Sequence, residues 1–265
     1  MRFIKGYTVR WHDTGACRTV TPSRILEFMQ ESASLHCRSL GHDLDEMRDK
    51  ERRGFVVVRF SFEILSPLYA QDEITVETWV PEDVGLFFSR SYEIKRGGET
   101  VARGISVSAL LDLDTRKFLR VSDVDLGFEP EPSVRLSDGV PLRLRFPEGL
   151  PLALVGERRI FSSDCDYNRH MNNTHYPDML LDFLPEATER SVASMAISYV
   201  GEARLGDTLH VFVSPSEDGD DGVFSIRATR ADGTTVTEAR IVAPRITEPR
   251  STQKEKNSNK GDTLP

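Results

Sequence analysis

The spacing of hydrophobic and polar positions changes several times along this chain, and each change marks an element. Residues 7–12 alternate and are rich in β-formers, which predicts a first strand that Asp13-Thr14-Gly15 breaks. From Thr21 the period lengthens. Ile25, Leu26, Phe28, Met29, Ala33, Leu35 and Leu40 recur at helical spacing. Thr21 is placed to cap this long helix, Pro22 suits its first position and Gly41 its end. Residues 43–53 are charged and read as a short surface helix or loop. Period two then predicts strands at 55–65, 73–80, 87–95 and 100–111, with Gly97-Gly98 closing a hairpin.

Residues 113–157 lose the pattern and collect Pro130, Pro132, Pro141, Pro147 and Pro151, which predicts a linker over the surface with one short strand at 142–146. After it the order returns: a strand at 158–163, a helix at 172–184, then strands at 191–200, 207–213, 223–228 and 235–242. Residues 62–74 and 197–209 share one phrase, a strand, a short bend, then Asp72 or Asp207 opening the next strand. An internal repeat of this size fixes the architecture more firmly than any single motif. The expected organisation is α+β, with a first repeat at 1–122, a linker at 123–157, a second repeat at 158–248 and a disordered Lys/Asn/Ser/Gly tail at 249–265.

Composition narrows the function. The 265 residues are 38% hydrophobic and 29% charged, enough for a packed core. A net charge of −8 argues against nucleic acid as a partner, although a local basic patch remains compatible with it. Three cysteines, Cys17, Cys37 and Cys165, fit neither a disulfide framework nor a zinc site and point to a reducing cytoplasm. The start lacks the apolar core of a secretory signal, and no run approaches the ~20 apolar residues of a membrane span.

The candidate chemistry lies in Asp164-Cys-Asp-Tyr-Asn-Arg-His-Met-Asn-Asn173. Asp164 and Asp166 alone suit turn or helix capping, and a lone His170 suits a structural role. Their joint spacing adds something: Asp166, Asn168 and His170, at i, i+2 and i+4, can point one way from an extended loop. Cys165 then turns away from them as a small buried residue, Asn172 and Asn173 cap the following helix, and His175 is a surface residue. No second histidine or cysteine stands at ligand spacing to His170, so neither metal nor cofactor is expected.

Asp166-x-Asn168-x-His170-Met-Asn172-Asn173-x-x-Tyr176 resembles the signature of the acyl-acyl carrier protein thioesterases. Thr78-Trp79, Leu111 to Arg116 and Tyr199-Val-Gly-Glu202 agree with that family, and the likeness runs over about residues 5–245. The resemblance implies a double hotdog fold: two tandem repeats, each an antiparallel sheet wrapped on a long helix. It implies hydrolysis of a fatty acyl thioester, with Asp166, Asn168, His170 and Glu202 as catalytic residues. Glu202 would be the general base, although by itself it reads as an exposed glutamate in a turn. His170 would orient the attacking water, Asn168 the water or the thioester carbonyl, and Asp166 would hold its neighbours. A cysteine that often follows the family's glutamate is Ala203 here, which removes a Cys-His route through it. The given start does not read as the transit peptide and hydrophobic segment of the plastid members, so a bacterial-type, soluble form is expected.

In the family the first repeat takes the acyl chain, so Met29, Val57 and Phe60 are candidates for lining it, with core packing as the alternative for each. The partner implied is acyl carrier protein. It is acidic, and Arg48, Lys50, Arg52 and Arg53, or Arg143, Arg145, Arg158 and Arg159, could form its dock. Hotdog sheets commonly pair, so a homodimer is expected. A shorter form of the motif occurs in hotdog acyl-CoA thioesterases, which leaves that activity as an alternative, beside a non-catalytic fatty-acyl binding module.

Overall fold

The computed structural model describes residues 1–82, 87–120, 126–146, 149–215 and 222–246. In the first half, β1 (Phe3–Thr8) leads through a 3-10 turn to α1 (Pro22–Ser39) and α2 (Leu44–Asp49). Four strands follow: β2 (Arg53–Ile64), β3 (Glu73–Trp79), β4 (Phe88–Arg96) and β5 (Glu99–Asp112), with a two-residue β6 (Phe118–Leu119) against β5. The second half holds β7 (Ala153–Arg159), α3 (Tyr176–Leu181), β8 (Ser194–Tyr199), β9 (Thr208–Val213), β10 (Val223–Arg230) and β11 (Thr235–Val242).

The eleven strands among the described residues form one antiparallel sheet; ten run in the order β1-β3-β4-β5-β2-β8-β11-β10-β9-β7, and β6 pairs with β5 off that path. Read inward from each edge, the two halves have the same strand order. They meet at β2 and β8, where Ser61 lies opposite Ala196. The sheet pairing typical of hotdog folds thus takes place inside one chain. The tandem repeat, the α+β class and most strands agree with the hydrophobic pattern.

α1 forms where its spacing requires. The Thr21 hydroxyl accepts from the Arg24 amide at 3.4 Å, and Ile25, Leu26, Phe28 and Met29 are buried against the sheet. The helix lies close because β5 carries Gly104 beneath it. A Cβ there would stand 2.8 Å from the Met29 sulfur and 3.2 Å from the Phe60 ring. The opposite face of the same sheet is also covered. Leu136 and Val140 pack on Ile105 and Val107, and Trp79 Nε1 donates to the Pro132 carbonyl at 2.8 Å. This strap lets β5 be apolar on both faces.

Several boundaries differ from the pattern. The first strand is residues 3–8, not 7–12, because Trp11 and His12 turn outward, with Trp11 70% exposed. The strand expected at 158–163 is residues 153–159, since Asp164 draws 162–164 into a 3-10 turn. Residues 142–146 are not a strand, because that segment lies across the sheet instead of pairing with an edge. The second helix is short, a 3-10 turn at 173–175 and then α3, so only the first repeat wraps a long helix. The expected tail at 249–265 lies outside the described residues. Among those described, no helix is long and apolar enough to cross a membrane.

Candidate active site

The loop 164–172 is built from its own hydrogen bonds. Asp164 is buried and accepts from the Phe161 amide at 2.8 Å and from Arg158 Nη2 at 2.7 Å. The Asp166 amide donates to the His170 carbonyl at 3.0 Å, and Arg169 takes a left-handed φ of 67° to turn the chain. Cys165 and Met171 bridge beneath it, and Asn172 caps the next turn by accepting from the Thr174 amide at 3.0 Å.

This geometry gathers the polar side chains. Asp166 Oδ1 accepts from the Asn168 amide at 2.8 Å, its Oδ2 lies 3.3 Å from Asn168 Nδ2, and His170 Nδ1 stands 4.0 Å from Oδ1. Cys165 is half-buried, and desolvation with the carboxylates of Asp164 and Asp166 pushes its thiol above the usual value, which suppresses the nucleophilic thiolate.

Glu202 arrives from the bend after β8. His170 forms an antiparallel bridge with Arg204, and the Met171 amide donates to the Ala203 carbonyl at 2.8 Å. Across such a bridge, residue 202 is the diagonal neighbour of 170 on the same face. The fold therefore brings Glu202 beside the Asp166–Asn168–His170 loop. The Glu202 side chain is 46% exposed, and Arg204 Nη2 lies 3.3 Å from its Oε2.

Two arginines that the motif does not include complete this part of the structure. Arg204 pairs with the Glu202 carboxylate, and Arg230 donates to the Glu202 carbonyl while standing 3.5 Å from Asp207. The signal lay in the repeat: Arg96 makes the matching bonds in the first half, to the Pro67 carbonyl at 2.9 Å and to Asp72 at 2.7 Å. Among the acyl-chain candidates, Met29 and Phe60 are fully buried in the core, and Val57 is partly buried against it.

Sequence models of the acyl-ACP thioesterases match the chain twice, the N-terminal domain over residues 1–125 and the C-terminal domain over 157–242. The chain belongs to the acyl-ACP thioesterase family. Members are hydrolases of fatty acyl thioesters. The chloroplastic oleoyl-acyl carrier protein thioesterase of Coriandrum sativum is 26% identical over 91% of this chain and 70% of its own length. The chloroplastic acyl-acyl carrier protein hydrolase FATB1 of Cuphea viscosissima is 23% identical over 88% of this chain, which spans 59% of that relative. The crystal structure of an acyl-ACP thioesterase from Bacteroides thetaiotaomicron superposes with a TM-score of 0.80 at 18% identity, covering 91% of this chain and 97% of that one. That likeness carries the double hotdog fold.

Proposed function

We propose that this protein hydrolyses the thioester of fatty acyl-acyl carrier protein, releasing free fatty acid and ending fatty-acid synthesis. The observation that carries the reading is the arrival of Glu202 beside the Asp166–His170 loop in a chain whose two halves both match thioesterase domains. Glu202 acts as the general base on the attacking water. Arg204 holds Oε2, which leaves Oε1 to accept the proton. His170 orients that water, and Asp166 holds Asn168 and faces the His170 ring from 4.0 Å. The second repeat carries the chemistry and the first receives the acyl chain, with Val57 a better candidate for its wall than the enclosed Met29 and Phe60. Arg48, stacked 4.5 Å over the Tyr167 ring at the lip of the loop, gives the acidic carrier protein a place to dock. The three free thiols suit the reducing cytoplasm we propose for it.

The test is hydrolysis of acyl-carrier and acyl-CoA substrates at matched chain length. Acyl-carrier thioesters are expected to turn over faster, and Glu202→Gln and His170→Ala each to lower kcat by about 10²–10⁴-fold. Faster turnover of CoA esters would make the protein an acyl-CoA thioesterase. Binding of acyl chains without any hydrolysis would make it a binding module.

A further inference from the structure

The two repeats correspond residue by residue around the site. The Gly15 amide donates to the Thr19 carbonyl as Asp166 does to His170, both at 3.0 Å. Arg18 and Arg169 are left-handed, Thr14–Val20 bridges as Cys165–Met171 does, and Thr21 and Asn172 cap the following helical turns. The Val20 amide binds the Leu68 carbonyl as Met171 binds Ala203. Residues 23–31 and 174–182 share one order of buried, half-buried and exposed positions. Pro22 thus falls on Asn173, Leu181 on Gln30 and, through β2 and β8, Val192 on Val57.

In the first repeat this constellation forms an open pocket of about 250 Å³, lined by Gly15, Cys17 and Pro22 and, from the second repeat, by Leu181 and Val192. The same symmetry around the catalytic loop puts Asn173 and Gln30 where the pocket has Pro22 and Leu181. Two apolar wall positions are replaced by two amides. The nitrogens of both, Gln30 Nε2 and Asn173 Nδ2, are enclosed and have no hydrogen-bond partner among the described residues. Their backbones are anchored: Ser34 Oγ donates to the Gln30 carbonyl at 3.1 Å, and Tyr199 donates to the Asn173 carbonyl at 2.9 Å. Enclosed, fixed donors that lack an acceptor are what a developing oxyanion requires. Asn168, by contrast, already has its amide against Asp166.

We propose that Gln30 and Asn173 form the oxyanion hole, donating to the thioester carbonyl oxygen. The inference rests on the hydrolase reading above. The water oxygen bonds to the carbonyl carbon as Glu202 takes its proton, and the carbonyl π pair moves to oxygen, where the two amides hold it. When that pair returns, the C–S bond breaks and the leaving thiolate takes the proton from Glu202. One amide comes from each repeat, so neither repeat alone completes the site.

Gln30→Leu installs the residue of the corresponding first-repeat wall. Its kcat/KM on acyl-carrier substrate is expected to fall about 10²–10³-fold with the melting temperature unchanged or higher, because an unpartnered buried donor is removed. Asn173→Ala should lose activity by a similar factor. An acyl-pantetheine trifluoromethyl ketone, which adds water or an enzyme oxygen to form an oxyanion, should bind Gln30→Leu more weakly by about the same factor, while the corresponding amide analogue binds nearly as before. Activity of both variants within threefold of wild type overturns the inference alone. So does a loss that tracks melting temperature or weakens both analogues equally. A wild type that hydrolyses no acyl-carrier thioester overturns the hydrolase reading and this inference with it.

Discussion

Asp164 and Asp166 stand two residues apart and serve different ends. Asp164 is buried and bound to Arg158 and to the Phe161 amide, and Asp13 repeats the arrangement with Arg10 in a loop that has Thr19 where the second has His170. Asp164→Ala leaves the Arg158 guanidinium and the Phe161 amide without their acceptor. It should lower unfolding stability by about 2–3 kcal/mol in denaturant titration. Asp166 has no counterpart acid in the first loop, where Gly15 stands. Asp166→Ala should keep the melting temperature near wild type and lower kcat by about tenfold or more. The capping and chemical readings of the motif were both open in the sequence, since each asks for short polar side chains at a turn. Their partners separate them in part: Asp164 closes the preceding turn, and Asp166 accepts from the Asn168 amide while facing His170.

At the level of elements, α1 and its bed on the sheet are set by cap and packing. Thr21→Ala should cost about 1 kcal/mol, and Gly104→Ala about 1–3 kcal/mol because the added methyl presses on Met29 and Phe60, both read as shifts in urea midpoint. The helical period made α1 legible from its first residue. The second helix is shorter than its apolar spacing predicts. Its apolar positions continue past Leu181, but Leu184 packs into the core and Phe183 lies against Gly156 from outside the helix. Apolar spacing reports burial, and burial does not require the helix to continue.

Across the whole molecule, one buried pair ties the end of α1 to the sheet. Arg90, 3% exposed, donates to His36 Nδ1 at 2.9 Å. Burial first, then the guanidinium and the chain's amino terminus, lowers the His36 pKa from 6.5 to about 4. The folded state thus resists the proton that the unfolded chain accepts. The stabilisation is complete above pH 6.5 and is lost as the pH falls from there towards 4, by up to about 3 kcal/mol. Thermal melts from pH 7.5 to 4 should show this slope in wild type. A folded His36→Gln variant should flatten that part of it.

The sequence by itself determined the repeat, the order of its elements and the polar loop. These follow from periodicity and turn residues, which are local or recur at a fixed distance along the chain. Tertiary structure decided what stands opposite what. It joined the two sheets at Ser61 and Ala196, set Glu202 diagonally from His170 across a bridge, and set Arg204 on the Glu202 carboxylate. It also left the side-chain nitrogens of Gln30 and Asn173 enclosed without acceptors among the described residues. Such contacts depend on how the chain packs, and they leave no trace in spacing whether the residues are two positions apart, as Glu202 and Arg204 are, or more than a hundred, as Ser61 and Ala196 are. A buried donor cannot be known to lack a partner until every neighbour that could supply one has been placed.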